Sequence, residues 1–221
     1  MLLKNAGGVL PLKADQKVYV AGGNADDVGN QMGGWTIAWQ GGSGNHTTGA
    51  TSILAGMKQV APGASITYSA DASAPTAGSD VGVVVVGETP YSEGFGDVGG
   101  PQWAYDPWDA NVPRETKQME LKSGDAAVVD KVCAALPKCV VLVVSGRPQV
   151  IGNRLGDVDA LVASWLPGSE GAGVADVLFG RKAFTGRCRS RGRAPRRRSR
   201  STWATARTSR CSRSAGGCRP R

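Results

Sequence analysis

A single histidine, His46, serves all 221 residues, and that scarcity removes several chemistries at once. A hydrolase built on a serine or cysteine nucleophile needs a base within reach, usually an imidazole held by a third group. His46 lies in a Gly/Asn/Thr loop with no evident partner and is read as a surface residue. Gly168-Ser-Glu-Gly171 is not a Gly-x-Ser-x-Gly nucleophile elbow. There is no Gly-x4-Gly-Lys-Ser/Thr phosphate loop, and Ala21-Gly-Gly-Asn-Ala25 fails the dinucleotide spacing. Nor is there an apolar run of eighteen residues, so no membrane span is expected. The opening MLLKNAGGVLPLK is too short in its apolar stretch, and lacks the cleavage site, for a signal peptide.

Acidic residues are missing from one end. From Arg187 to Arg221 there are 13 of the 26 basic residues and none of the 18 acids, so residues 1–186 carry 13 bases against 18 acids, a net of −5. The formal charge of +8 therefore describes the tail alone. The tail also has almost no aliphatic side chains to offset its ordering entropy, and disorder is expected there. Of the five cysteines only Cys133 and Cys139 precede it. Their Cys-x5-Cys spacing is too wide for the usual zinc knuckle, and no histidine or second cluster supports a metal. A local disulfide, implying an oxidising compartment, and two free thiols both remain open. No metal or cofactor is expected.

What the chain does have is an alternation of strand and helix signals. Lys17–Gly22 and Ser65–Ser69 read as strands, and Val81–Val86 and Cys139–Val144 as strands buried on both faces. Asp159–Ser164 is a further strand. A helix capped by Asn24 or Asp26 runs to about Met32, another spans Thr51–Val60, and a third spans Ser123–Leu136 with Ala127, Val128, Val132 and Leu136 inward. Gly173–Phe179 forms a short last helix ending at Gly180. The class is α/β: a doubly wound, mostly parallel sheet with helices on both faces. Ligands of such sheets bind at the carboxyl ends of the strands, which selects the loops after Gly22, Val86 and Val144. The irregular stretch Gly87–Arg114 is long enough to suggest a functional loop.

Those loops carry a family signature. Ala21-Gly-Gly-Asn-Ala-Asp-Asp27, Gly33-Gly-Trp-Thr-Ile-Ala-Trp-Gln-Gly41, Val86-Gly-Glu-Thr-Pro-Tyr-Ser-Glu-Gly94 with Gly96-Asp97, Ser145-Gly-Arg-Pro148 and Ala163-Ser-Trp-Leu-Pro-Gly-Ser-Glu-Gly171 occur in order, followed by Gly173-Val-Ala-Asp-Val-Leu-Phe-Gly180. Together they resemble the second domain of family 3 glycoside hydrolases of the β-glucosidase and β-glucan exohydrolase type, over roughly Leu2 to Arg187. The resemblance implies a six-stranded (α/β)6 sandwich that supplies the acid/base glutamate, beside a (β/α)8 barrel that supplies the nucleophilic aspartate. Residues 1–14 resemble the linker into the sandwich, residues 15–187 the sandwich itself, and the barrel is expected upstream of Met1. The implied activity is retaining, exo-acting hydrolysis of a β-glucoside or β-glucan, with the isolated chain inactive for want of the nucleophile. The implied partners are the oligosaccharide and the barrel, without membrane or specific nucleic acid, and a periplasmic or secreted parent enzyme.

Within that resemblance Glu93 matches the acid/base, which must protonate the glycosidic oxygen and later deprotonate water. Glu88, five residues earlier at a strand end, is the competitor and is read as an anchor for the loop. Asp97 is assigned to the turn. Trp39 matches a jaw of the family's sugar clamp, since aromatic faces suit the apolar faces of a pyranose ring. Trp35 supports it or packs inward; the four-residue spacing of the two tryptophans would also suit a helix face. Arg147 is expected to hold the rim or the interdomain contact through a carboxylate, and Glu170 to shape its turn.

After Thr185-Gly-Arg187 the resemblance stops. Codons for Ser201-Thr-Trp-Ala-Thr205, read one base earlier, can give Ile-Asn-Val-Gly-Asp, and those for Arg210–Arg219 can give Pro-Leu-Phe-Pro-Val-Gly-Trp-Gly-Leu-Ser, both typical of the family. Residues 188–221 are therefore read as a frameshift product that leaves the sandwich incomplete at its C-terminal end, with apolar surface near Val177 and Phe179 uncovered, low stability and a tendency to aggregate. Two rival functions stand beside the hydrolase: nucleic-acid binding through the arginine tail, which would be non-specific and steeply salt-dependent, and a non-catalytic sugar-binding module using Trp39.

Overall fold

The computed structural model describes residues 1–93 and 118–186. Asp97, most of the long loop and residues 187–221 lie outside them. Six strands, β1 (Leu2–Asn5), β2 (Lys17–Ala21), β3 (Ser65–Ser69), β4 (Val81–Gly87), β5 (Cys139–Val144) and β6 (Ala160–Trp165), form one sheet in the order β1-β6-β5-β4-β2-β3. Every neighbouring pair is parallel except β1 with β6. The helices are α1 (Val28–Met32), α2 (Ile53–Val60), α3 (Ser123–Ala135) and α4 (Gly171–Leu178).

The valine-rich runs make this sheet because side chains alternate across a strand and both faces are covered. Val81, Val83 and Val85 point to one core with Val140, Leu142 and Val144, beneath Ile53 and Met57 of α2 and Ala175 and Leu178 of α4. Val84 and Val86 point to the other, with Val141, Val143 and Tyr19, beneath Val129 and Val132 of α3. Each fully buried valine contributes about 1.5–3 kcal/mol relative to leaving it exposed. Tyr19 keeps its polar end satisfied by donating its hydroxyl to the Ala74 carbonyl at 2.8 Å.

Three details differ from the sequence reading. The α3 face is Ala126, Val129, Val132 and Leu136, while Ala127 is exposed and Val128 only half-buried. Val132 and Leu136 are common to both faces and pack over Gly82, where a Cβ would lie 2.4 Å from Val132 Cγ1; with them fixed, the helix turns Ala126 and Val129 to the sheet. Helix α1 is capped by Asp27, which accepts the Asn30 amide at 2.7 Å, and not by Asn24 or Asp26. Those two lie in a preceding 3-10 turn, where Asp26 instead accepts from Ser52, the cap of α2. Finally, residues read as linker supply the antiparallel edge strand. Four residues carry no usable periodicity, and the partner is far along the chain: Leu2 pairs with Val162 and Asn5 with Ala160.

Cys133 and Cys139 are joined in a disulfide that links the end of α3 to the start of β5. On the far side, Val162, Val174, Val177 and Phe184 line a groove of about 350 Å³ beside Met1, whereas Phe179 packs against the first core.

Candidate active site

The carboxyl ends of β2, β4, β5 and β6 open on one rim, and three loops there interlock. At the end of β4, Glu88 is 7% exposed. Its Oε1 accepts from Arg147 Nε at 3.0 Å and Nη2 at 2.8 Å, and its Oε2 accepts from the Ser145 hydroxyl at 2.5 Å. Asn24 Nδ2 donates to the Glu88 carbonyl at 3.4 Å. Both carboxylate oxygens are engaged inside the protein, so Glu88 anchors the loop. Arg147 meets the carboxylate expected of it, and its guanidinium carbon also lies 5.2 Å from the Tyr91 ring centroid.

Glu93 is different: its side chain is exposed on the rim. Trp35 Nε1 donates to its Oε2 at 2.9 Å, and the Ser92 hydroxyl donates to the same oxygen. The two tryptophans are neither a helix face nor core. Trp35 is 69% exposed and Trp39 39%, their ring centroids 6.2 Å apart and tilted by 53°. Trp35 holds φ at 57°, a left-handed conformation uncommon for a bulky residue, and its amide donates to the Trp39 carbonyl at 2.9 Å. The loop thus turns back on itself and presents two aromatic faces beside one carboxylate. His46, as expected, is exposed. Glu170 sits in its turn, bridged to Thr51.

Glycine permits the close fit. A Cβ at Gly34 would lie 2.3 Å from the Tyr91 carbonyl oxygen, and one at Gly41 2.6 Å from Pro90 Cβ. The tryptophan loop and the glutamate loop therefore lie backbone against backbone.

Hydrogen bonds from the Ser92 hydroxyl, the Trp35 indole and the backbone amide of Glu93 itself hold the Glu93 carboxyl down at about 2. Because that value is below the ordinary 4.5, these bonds stabilise the loop above the ordinary value, and the contribution is lost as pH falls towards about 2. Ser92→Ala removes the largest cause. The Glu93 carboxyl carbon, followed by NMR through a pH titration, should then titrate closer to an ordinary glutamate.

The family model described as the glycosyl hydrolase family 3 C-terminal domain matches residues 1–194. This chain belongs to that family. The lysosomal beta glucosidase of Dictyostelium discoideum is 27% identical over 208 residues, covering 84% of this chain and 23% of that protein. Among solved structures, the exo-1,3/1,4-beta-glucanase of a Pseudoalteromonas species is 38% identical with a TM-score of 0.65, covering 80% of this chain and 21% of that one. The beta-glucosidase of Listeria innocua, at 21% identity and a TM-score of 0.60 over 82% of this chain and 24% of that one, shares the fold. The family 3 domain thus spans about a quarter of the length of the relatives it matches.

Sequence reading missed part of the rim. Trp165 and Leu166 are exposed at the end of β6, Trp165 with φ of 56°. Gln40 and Ser92 bear on the glutamate loop although nothing in their spacing marks them. Trp165 stood inside a family motif and could have been found by asking why a tryptophan ends a buried strand. Among the described residues no group of three or more metal-binding side chains occurs, and no helix is long and apolar enough to cross a membrane.

Proposed function

We propose that this chain is the acid/base-bearing domain of a retaining, exo-acting glycoside hydrolase that cleaves β-glucosides or β-glucans. The observation that carries the reading is the Glu93 carboxyl, exposed on the rim and hydrogen-bonded by an indole beside the Trp39 ring. In this reading Trp39 stacks on the sugar, Trp35 orients Glu93, and Glu93 donates a proton to the departing oxygen and then takes one from water. The names of the relatives, a beta glucosidase and an exo-1,3/1,4-beta-glucanase, support the substrate class.

A retaining reaction needs a second carboxylate about 5–5.5 Å from the first, across the glycosidic bond. Glu88, buried against Arg147, is not available for that role. The nucleophile then comes from a barrel domain docked on this rim, where Trp35, Ile37, Trp39, Trp165 and Leu166 leave apolar area exposed. Docking also supplies the proton: desolvation and a neighbouring carboxylate both raise a glutamate's pKa, moving Glu93 away from the ionised state it has in the open domain. The test is to join this chain to the barrel portion of the Pseudoalteromonas relative and measure glucose release from a β-glucoside. The fusion should turn over substrate and the chain alone should not; equal hydrolysis by both would overturn the reading.

A further inference from the structure

The side chain of Gln40 is fully buried, directly beneath the glutamate loop. Its Oε1 accepts the Ser92 amide at 3.0 Å and its Nε2 donates to the Glu93 carbonyl at 3.1 Å. One primary amide therefore grips two consecutive residues of a neighbouring loop, matching a donor with an acceptor and an acceptor with a donor. Its chain neighbour Trp39 is partly exposed, and its side chain also bonds to the Glu93 carboxylate. Gly34 and Gly41 let the two loops touch close to the same place.

From this geometry we infer that Gln40 is a positioning residue, which fixes the Glu93 carboxyl relative to the aromatic platform of Trp35 and Trp39. Three features separate this role from ordinary packing. Gln40 touches the backbone of Glu93 rather than its carboxylate, so it sets where the side chain starts. The two residues it grips are the one that holds the carboxyl group and the one that donates a hydroxyl to it. And it follows immediately in sequence the tryptophan proposed to stack on sugar, so a shift of either loop is felt by both. An amide is the side chain for this task because it presents a donor and an acceptor in one plane; a leucine of similar size offers neither. The inference rests on the proposed role of Glu93 for its meaning in catalysis, but its geometric content does not.

The test uses the full 221-residue chain and follows the Trp35 indole Nε1–H and the Glu93 carboxyl carbon by NMR between pH 3.5 and 7. In the unaltered chain Glu93 should be silent over this range, because its carboxyl is held at about 2. Gln40→Leu should loosen the Ser92 and Trp35 bonds and bring the Glu93 midpoint into the window, an upward shift of about two pH units. Gln40→Glu supplies the rescue. While the introduced buried carboxyl is protonated it can both donate and accept, so the Trp35 indole resonance should match that of the unaltered chain. Once that carboxyl ionises it loses the donor, and the resonance should move towards its Gln40→Leu position. A purely structural residue would lower the melting temperature without moving either resonance. If Gln40→Leu folds, with unchanged circular dichroism, and Glu93 stays silent, the inference is overturned. If Gln40→Leu does not fold, Gln40→Glu decides it alone: an indole resonance that stays put while the introduced carboxyl ionises overturns it equally. Loss of the proposed catalytic role of Glu93 would show separately, in the barrel fusion and not in these spectra.

Discussion

Glu93→Gln, placed in the barrel fusion, is expected to lower kcat on an unactivated β-glucoside by about 10²–10⁴-fold, the usual contribution of a positioned general acid. The amide keeps the shape of the side chain and can still bond to Trp35, so KM should change little: Trp39 continues to offer its face to the sugar. Two further readouts separate lost proton transfer from lost structure. Substrates whose leaving group needs no protonation should suffer less in the first step. A small anionic nucleophile such as azide should then restore turnover, because it attacks the glycosyl-enzyme intermediate without a base to activate it. Unimpaired hydrolysis of a natural glucoside by Glu93→Gln would remove the central residue from the mechanism. Glu88→Gln provides the contrast. It disturbs the anchor formed with Arg147 and Ser145, and no azide response is expected.

Arg147→Met should give the largest loss of stability at this rim. It leaves the Glu88 carboxylate, 7% exposed in the intact chain, with the Ser145 hydroxyl as its remaining side-chain donor among the described residues. Breaking a buried pair by deleting one member costs about 3–5 kcal/mol. Arg147 is itself 27% exposed, so water can partly replace it, and about 2–4 kcal/mol is the better expectation. For a domain of this size that is a fall of about 5–15 °C in the melting temperature. The double substitution Glu88→Gln with Arg147→Met removes both charges and should recover much of the loss, since desolvating neither group costs less than desolvating one alone. A melt of Arg147→Met within a degree of the unaltered chain would mean that the Glu88–Arg147 pair is not an anchor.

The central strands were legible because their chemistry is redundant. Val81–Val86 and Cys139–Val144 are apolar at every position, and such runs are stable only where both faces are covered. The strand-end rule selected the loops, but the roles of their residues were legible only through family resemblance. Nothing in the spacing of Trp35 and Trp39 distinguishes a helix face from a reversed loop, and it takes the left-handed turn at Trp35 to set both rings at the rim. Helix α3 shows the limit in the core as well, since Ala127 and Val128 were expected inward and the structure buries Ala126 and Val129 instead.

By itself the sequence determined the fold class, the family and the pair of glutamates worth weighing, because these follow from local hydrophobic patterning and from motifs a few residues long. The resemblance ranked Glu93 above Glu88, but only tertiary structure supplied the physical difference between the two carboxyls. Glu88 and Glu93 are five positions apart and chemically identical, yet one is enclosed by Arg147 and Ser145 and the other stands in solvent against an indole. The partners Trp35, Ser145 and Arg147 come from distant segments, and contacts between residues so far apart in the chain leave no periodic trace along it. Gln40 is the same case, an ordinary amide whose two partners lie more than fifty residues away.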